Sequence, residues 1–92
     1  MTKTITCDDI QKLIGNSELK RKFSFLADPP KISVSSCCGS KEKINCDEVM
    51  RKIAEEDEEN RKLILKSLGV TVAVLNYKRH DGIEETKVIF VT

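Results

Sequence analysis

The 92-residue chain reads as a single α+β domain over residues 1–92. The expected architecture is a small three-stranded, mainly antiparallel sheet with a C-terminal β-hairpin and two to three helices packed on it. Three features point there. Residues 70–79 and 83–92 are β-branched, apolar runs separated by Asp81-Gly82. Apolar residues recur at helical spacing over 10–26 and again over 49–68. Lys31 to Ser36 alternates apolar with polar residues, the period of a strand with one buried face. A chain of this size buries roughly 60–65% of its extended surface, enough for one core and too little for two.

Thr6 and Asp9 stand three apart, as the partners of a capping box do, so a helix starts there. Ile10, Leu13 and Ile14 line its inner face, and Gly15-Asn16 is a C-terminal signal. Ser17 is placed to cap a second short helix carrying Leu19, Phe23 and Leu26, either separate from the first or continuous with it through a kink. Asp28-Pro29-Pro30 ends the helical region, because proline lacks the amide hydrogen and restricts the residue before it.

The strand at 31–36 leads into Cys37-Cys38-Gly39-Ser40, expected as a turn or loop. Asn45 with Glu48 three residues on marks the next helix start. Val49, Met50, Ile53, Leu63, Ile64 and Leu68 then continue at helical spacing to Gly69. This predicts one helix of about 21 residues, roughly 30 Å long. Its middle, Glu55 to Asn60, is polar all round and is expected to project past the core as a solvated face.

Asp81-Gly82 suits a two-residue type I′ turn, which needs positive φ at both central positions. That turn sets His80 opposite Ile83, Arg79 opposite Glu84, Lys78 opposite Glu85 and Val74 opposite Ile89. Opposite charges across the strands support the register. It places Val72, Val74, Ile89 and Val91 on one face and Ala73, Leu75, Val88 and Phe90 on the other. A base apolar on both faces needs cover on both, and the helices are too few to supply it. Val72, Val74, Ile89 and Val91 are therefore the candidate interaction surface.

Sixteen basic and fifteen acidic side chains give a formal charge of +1. A nucleic-acid binder draws affinity from neutralised phosphates and shows a basic excess, so a nucleic-acid partner is not expected. No apolar run approaches the ~18–20 residues of a membrane span, and the first residues lack the apolar core of a secretory leader. The expectation is a cytoplasmic protein with no membrane contact.

Four cysteines, Cys7, Cys37, Cys38 and Cys46, and one histidine, His80, are the unusual chemistry. Together they are the metal-ligand candidates. Zinc sites use two closely spaced ligand pairs, whereas here one adjacent pair and two isolated cysteines occur. Cys46 and Cys7 each fall in the first turn of a predicted helix, where a thiol ionises more easily. The principal expectation is that the cysteines are small buried hydrophobes, with no cofactor bound. A disulfide framework is not expected without a secretory leader. Gly39-Ser40-Lys41 lacks the full phosphate-loop pattern.

Catalysis is not expected. One histidine at a hairpin tip offers no triad, the carboxylates crowd a solvated helix, and no Trp, one Tyr and three Phe leave little for base stacking. The favoured function is a non-catalytic protein–protein interaction or assembly accessory module: a subunit, an adaptor or a virion-type accessory protein. It would bind a protein partner or itself through the hairpin edge. The alternatives are a zinc-binding or thiol-redox module using Cys37, Cys38 and Cys46, and a small nucleic-acid-associated regulator.

Overall fold

The computed structural model describes residues 2–37 and 39–92. In chain order the elements are β1 (Thr2–Thr4), α1 (Cys7–Ile14), α2 (Ser17–Lys22), α3 (Ser24–Ala27), β2 (Lys31–Ser36), β3 (Gly39–Ile44), α4 (Cys46–Glu55), α5 (Glu58–Lys66), β4 (Val72–Lys78) and β5 (Glu84–Phe90). The α+β class stands, but the strands are partitioned differently from expectation. The three-stranded sheet is mixed, in the order β1-β4-β5, and β2-β3 forms a separate two-stranded ribbon. β1 pairs parallel to β4, with Thr2 beside Val72 and Thr4 beside Val74.

α1 begins as its sequence predicts. The Thr6 hydroxyl caps the Asp9 amide, and the Asp9 carboxylate reaches back to the Thr6 amide at 3.0 Å. Ile10 and Leu13 are fully buried on its inner face. Two breaks divide the following helical region, since Asn16 rather than Ser17 caps α2 and Phe23 is extended between α2 and α3. Extension at Phe23 turns its ring and that of Phe25 toward each other, with centroids 5.8 Å apart. Leu19, Phe23 and Leu26 all reach the core, as their spacing requires.

Gly39 to Ile44 is a strand, which includes Gly39 and Ser40 of the segment expected as a turn or loop. Gly-Ser-Lys-Glu-Lys has little intrinsic strand preference. The strand forms because its backbone completes a full antiparallel ladder with β2, from Lys31↔Ile44 to Ser36↔Gly39. Asn45 closes the base of this ribbon by donating its amide to the Pro30 carbonyl at 2.8 Å.

The single long helix is corrected to two. Glu56 is extended (φ −70°, ψ 164°), and it ends α4 before Asp57 opens α5. A continuous helix would have carried the polar stretch and everything after it away from the core. The break lets Ile64 and Leu65 fold back to full burial. The C-terminal end of α4 is satisfied by two cations, since Arg61 and Lys87 both donate to the carbonyl of buried Ala54, at 3.1 and 3.2 Å.

The hairpin differs from expectation by one residue. Arg79 donates to the Ile83 carbonyl at 2.9 Å and Gly82 donates to the Arg79 carbonyl at 3.0 Å. The loop is therefore His80-Asp81-Gly82, with Gly82 at φ +84°, the arrangement of a three-residue turn ending in a left-handed glycine. Val74 pairs with Val88 rather than Ile89, and Lys78 with Glu84 rather than Glu85. A one-residue slip moves every β5 side chain to the opposite face relative to β4. Ala73, Leu75, Tyr77, Ile89 and Val91 are consequently core residues, packed with the helices in one hydrophobic cluster.

Candidate functional site

The helices cover only one face of the sheet, with α4 against β4 and α5 against β5. On the other face β4 presents Val72, Val74, Asn76 and Lys78, and β5 presents Phe90, Val88, Thr86 and Glu84 directly opposite them. The half nearest the chain terminus is apolar. Phe90 is 67% exposed and Val88 51% exposed, while Val72 and Val74 are half-buried. Toward the tip the face becomes polar: Thr86 donates to Asn76 at 2.7 Å, and Lys78 faces Glu84. Of the four expected interaction residues, Val72 and Val74 lie on this open face. Ile89 and Val91 are withdrawn, being 6% and 5% exposed in the core. Their places are taken by Val88 and Phe90.

The two long edges of the sheet are treated differently. In an antiparallel ladder, narrow and wide pairs alternate. The bonds from Arg79 to Ile83 and from Val91 to Thr71 put the odd-numbered residues of β5 in the narrow pairs with β4. The amides and carbonyls of Glu84, Thr86, Val88 and Phe90 therefore point outward along the free edge. On the far side of β4 the groups of Val74 and Lys78 are occupied. Ile5 donates to the Val74 carbonyl at 2.9 Å, and past the end of β1 the Asp47 carboxylate accepts from the Lys78 amide at 3.1 Å. Arg51 adds a 3.4 Å bond to the Lys78 carbonyl. Capping of this kind blocks further strand pairing. Among the described residues β5 has no strand beyond it.

A polar cluster gathers where α4 meets the hairpin tip. Tyr77 donates its hydroxyl to Glu85 at 2.7 Å. Burial first, and then that hydrogen bond, push the phenol up to about 12. Arg51 pairs with Glu48 and, at 3.7 Å, with Glu55, which in turn lies 3.6 Å from His80. His80 is 77% exposed at its side chain, a surface turn residue. The cluster sets three carboxylates around the one Arg51 guanidinium at the surface.

The cysteines are arranged otherwise than expected. Cys7 and Cys46, the first residues of α1 and α4, form a disulfide with Cα atoms 5.4 Å apart. This corrects the reading of both as buried thiols and removes two sulfurs from any metal-ligand set. Cys37 is exposed at the tip of the ribbon, and Cys38 lies outside the described residues. Among the described residues no group of three metal-ligating side chains converges, and His80 sits at the hairpin tip, on a different element from the cysteines. A disulfide is at odds with the expected cytoplasmic location, since glutathione keeps most cytosolic thiols reduced.

Buried Asp9 is a polar residue that sequence reasoning saw only as a cap. It is 1% exposed and accepts from Lys3 Nζ at 2.7 Å as well as from Thr6. Burial alone would raise its carboxyl, but the Lys3 hydrogen bond and then the bonds from Thr6 outweigh burial and hold it below its ordinary value.

Among the described residues no helix is long and apolar enough to cross a membrane. No protein family, curated protein or solved structure matches this chain.

Proposed function

We propose that this chain is a non-catalytic protein–protein interaction module, working as a subunit, adaptor or assembly accessory. It docks a partner on the open face of the sheet and along the free edge of β5. The observation that supports this is Phe90. Among the described residues it is the most exposed large apolar side chain, and it lies on the long sheet edge beyond which they place no further strand. Covering Phe90 and Val88 is worth on the order of 3 kcal/mol. The outward amides and carbonyls of β5 supply the rest, since an added strand gains affinity from main-chain bonds and specificity from alternate side chains.

Site-specific photo-cross-linking in the native cell tests the reading. A photoreactive phenylalanine at position 90 is expected to give discrete protein adducts that a probe at exposed Glu59, on α5, does not. The same background at both positions would overturn it.

The Cys7–Cys46 bridge favours a second reading, a thiol-redox module. Both sulfurs sit at helix N-termini, where the thiolate form is stabilised, and Cys7 is exposed. Zinc and nucleic-acid binding gain no comparable support. If the bridge is redox-active, the reduced thiols alkylate at neutral pH at least about tenfold faster than in the urea-unfolded chain. Equal rates would remove the reading.

A further inference from the structure

We propose that the occupant of the β5 edge is a second copy of this chain. Two β5 strands pair antiparallel about a two-fold axis at Thr86, giving a continuous six-stranded sheet. The inference rests on the interaction reading above and names its partner.

Charge complementarity selects both partner and register. Two-fold registers centred on Glu85, Thr86, Lys87 or Val88 lie nearest the middle of the free edge. Centring on Glu85 sets Glu85 against its own copy, and centring on Lys87 does the same for Lys87. Like charges directly opposite are destabilising. Centring on Val88 sets Lys87 and Glu85 against the apolar Ile89 and Val91 of the other copy. Centring on Thr86 alone sets Glu85 opposite the second copy's Lys87, twice by symmetry.

That pair falls at wide positions, where side chains approach most closely. The outward backbone groups of Glu84, Thr86 and Val88 then meet their counterparts in narrow pairs, about six hydrogen bonds in all. Glu85 and Lys87 retain the capacity for this. Tyr77 occupies one Glu85 oxygen and leaves the other. Lys87 donates to the Ala54 carbonyl and has further N–H groups to give. In this register Val88 of each copy lies opposite Glu84 of the other and Phe90 opposite Gly82, so the two apolar halves stand at opposite ends of the joined sheet. A two-fold interface of this sort is self-complementary and closes at two copies.

Sedimentation of the untagged chain from about 5 to about 500 micromolar is expected to show a monomer–dimer equilibrium. Thr86→Pro removes an amide that faces the free edge and none that bonds β4, so the chain folds while dimerisation weakens at least tenfold. Unchanged titration of Tyr77 in that variant checks the fold. Thr86→Cys is expected to give a covalent dimer on mild oxidation, and Asn76→Cys on the central strand is not. A chain monomeric throughout the range, or Thr86→Pro dimerising as well as the parent, would overturn the proposal. Photo-cross-linking from position 90 separates the two claims. An adduct of twice the chain mass supports the second copy. Adducts to another protein alone overturn it and leave the interaction module standing, and no adduct overturns both.

Discussion

Cys7 and Cys46 are 39 residues apart in sequence, yet they are the first residues of α1 and α4 and lie covalently bridged with Cα atoms 5.4 Å apart. The bridge joins two helices that already pack on one core through Ile10, Leu13, Val49 and Ile53. It therefore constrains the unfolded chain more than it shapes the native one.

Closing a loop of this length is worth about 4 kcal/mol in the chain-entropy account. Cys7→Ser/Cys46→Ser is expected to keep its native circular dichroism and lose roughly 2–4 kcal/mol in urea unfolding. Unfolding midpoints that coincide with and without the bridge would show that it contributes nothing.

Asp9 carries a pH dependence whose sign follows from its surroundings. Its folded-state pKa lies below the ordinary 3.8. The stabilisation it contributes is therefore present above about that pH and is lost as pH falls through the lower folded value. Asp9→Asn, which cannot pair with Lys3 as a carboxylate does, is expected to lose about 1–3 kcal/mol at neutral pH. The gap between parent and variant should be constant from pH 5 to 8 and close as the pH falls below about 4. A gap that persists undiminished at pH 2.5 would refute the assignment.

Tyr77 is the only tyrosine in the chain, so phenolate absorbance reports it alone. Its titration is expected at about 12 rather than the ordinary 10.0. A folded-state value above the unfolded one means that this contribution is complete below about pH 10 and declines as pH rises toward 12. Tyr77→Phe should flatten that alkaline decline. A midpoint near 10 while the chain is still folded would place the phenol in water and contradict the bond to Glu85.

Several local signals in the sequence hold in the structure because a few neighbouring residues decide them. The Thr6–Asp9 capping box, the Asn45 cap, the buried stripe Ile10–Leu13 and the existence of the final hairpin all belong to this class. The candidate surface was half legible for the same reason. Val72 and Val74 were placed on it, but Val88 and Phe90 replaced Ile89 and Val91. Asp81-Gly82 fits a two-residue turn and equally the end of a three-residue loop, and only the alignment of β5 with the helices distinguishes them.

Taken by itself, the sequence determined which segments are helical or extended at their clearest, where α1 and α4 start, and that one apolar core forms. These follow from spacing and side-chain chemistry within a turn or two of the chain. The tertiary structure alone decided the rest. It paired polar Gly39–Ile44 with β2, because a ladder of backbone bonds needs a neighbouring strand more than it needs β-forming side chains. It recruited Thr2–Thr4 beside β4, broke the helix at Glu56, and brought Cys7 to Cys46. It also set the hairpin register, because of the two alternatives only the observed one buries Leu75, Tyr77 and Ile89 together under α4 and α5. Most of these depend on contacts between residues far apart in the chain, which no local pattern encodes.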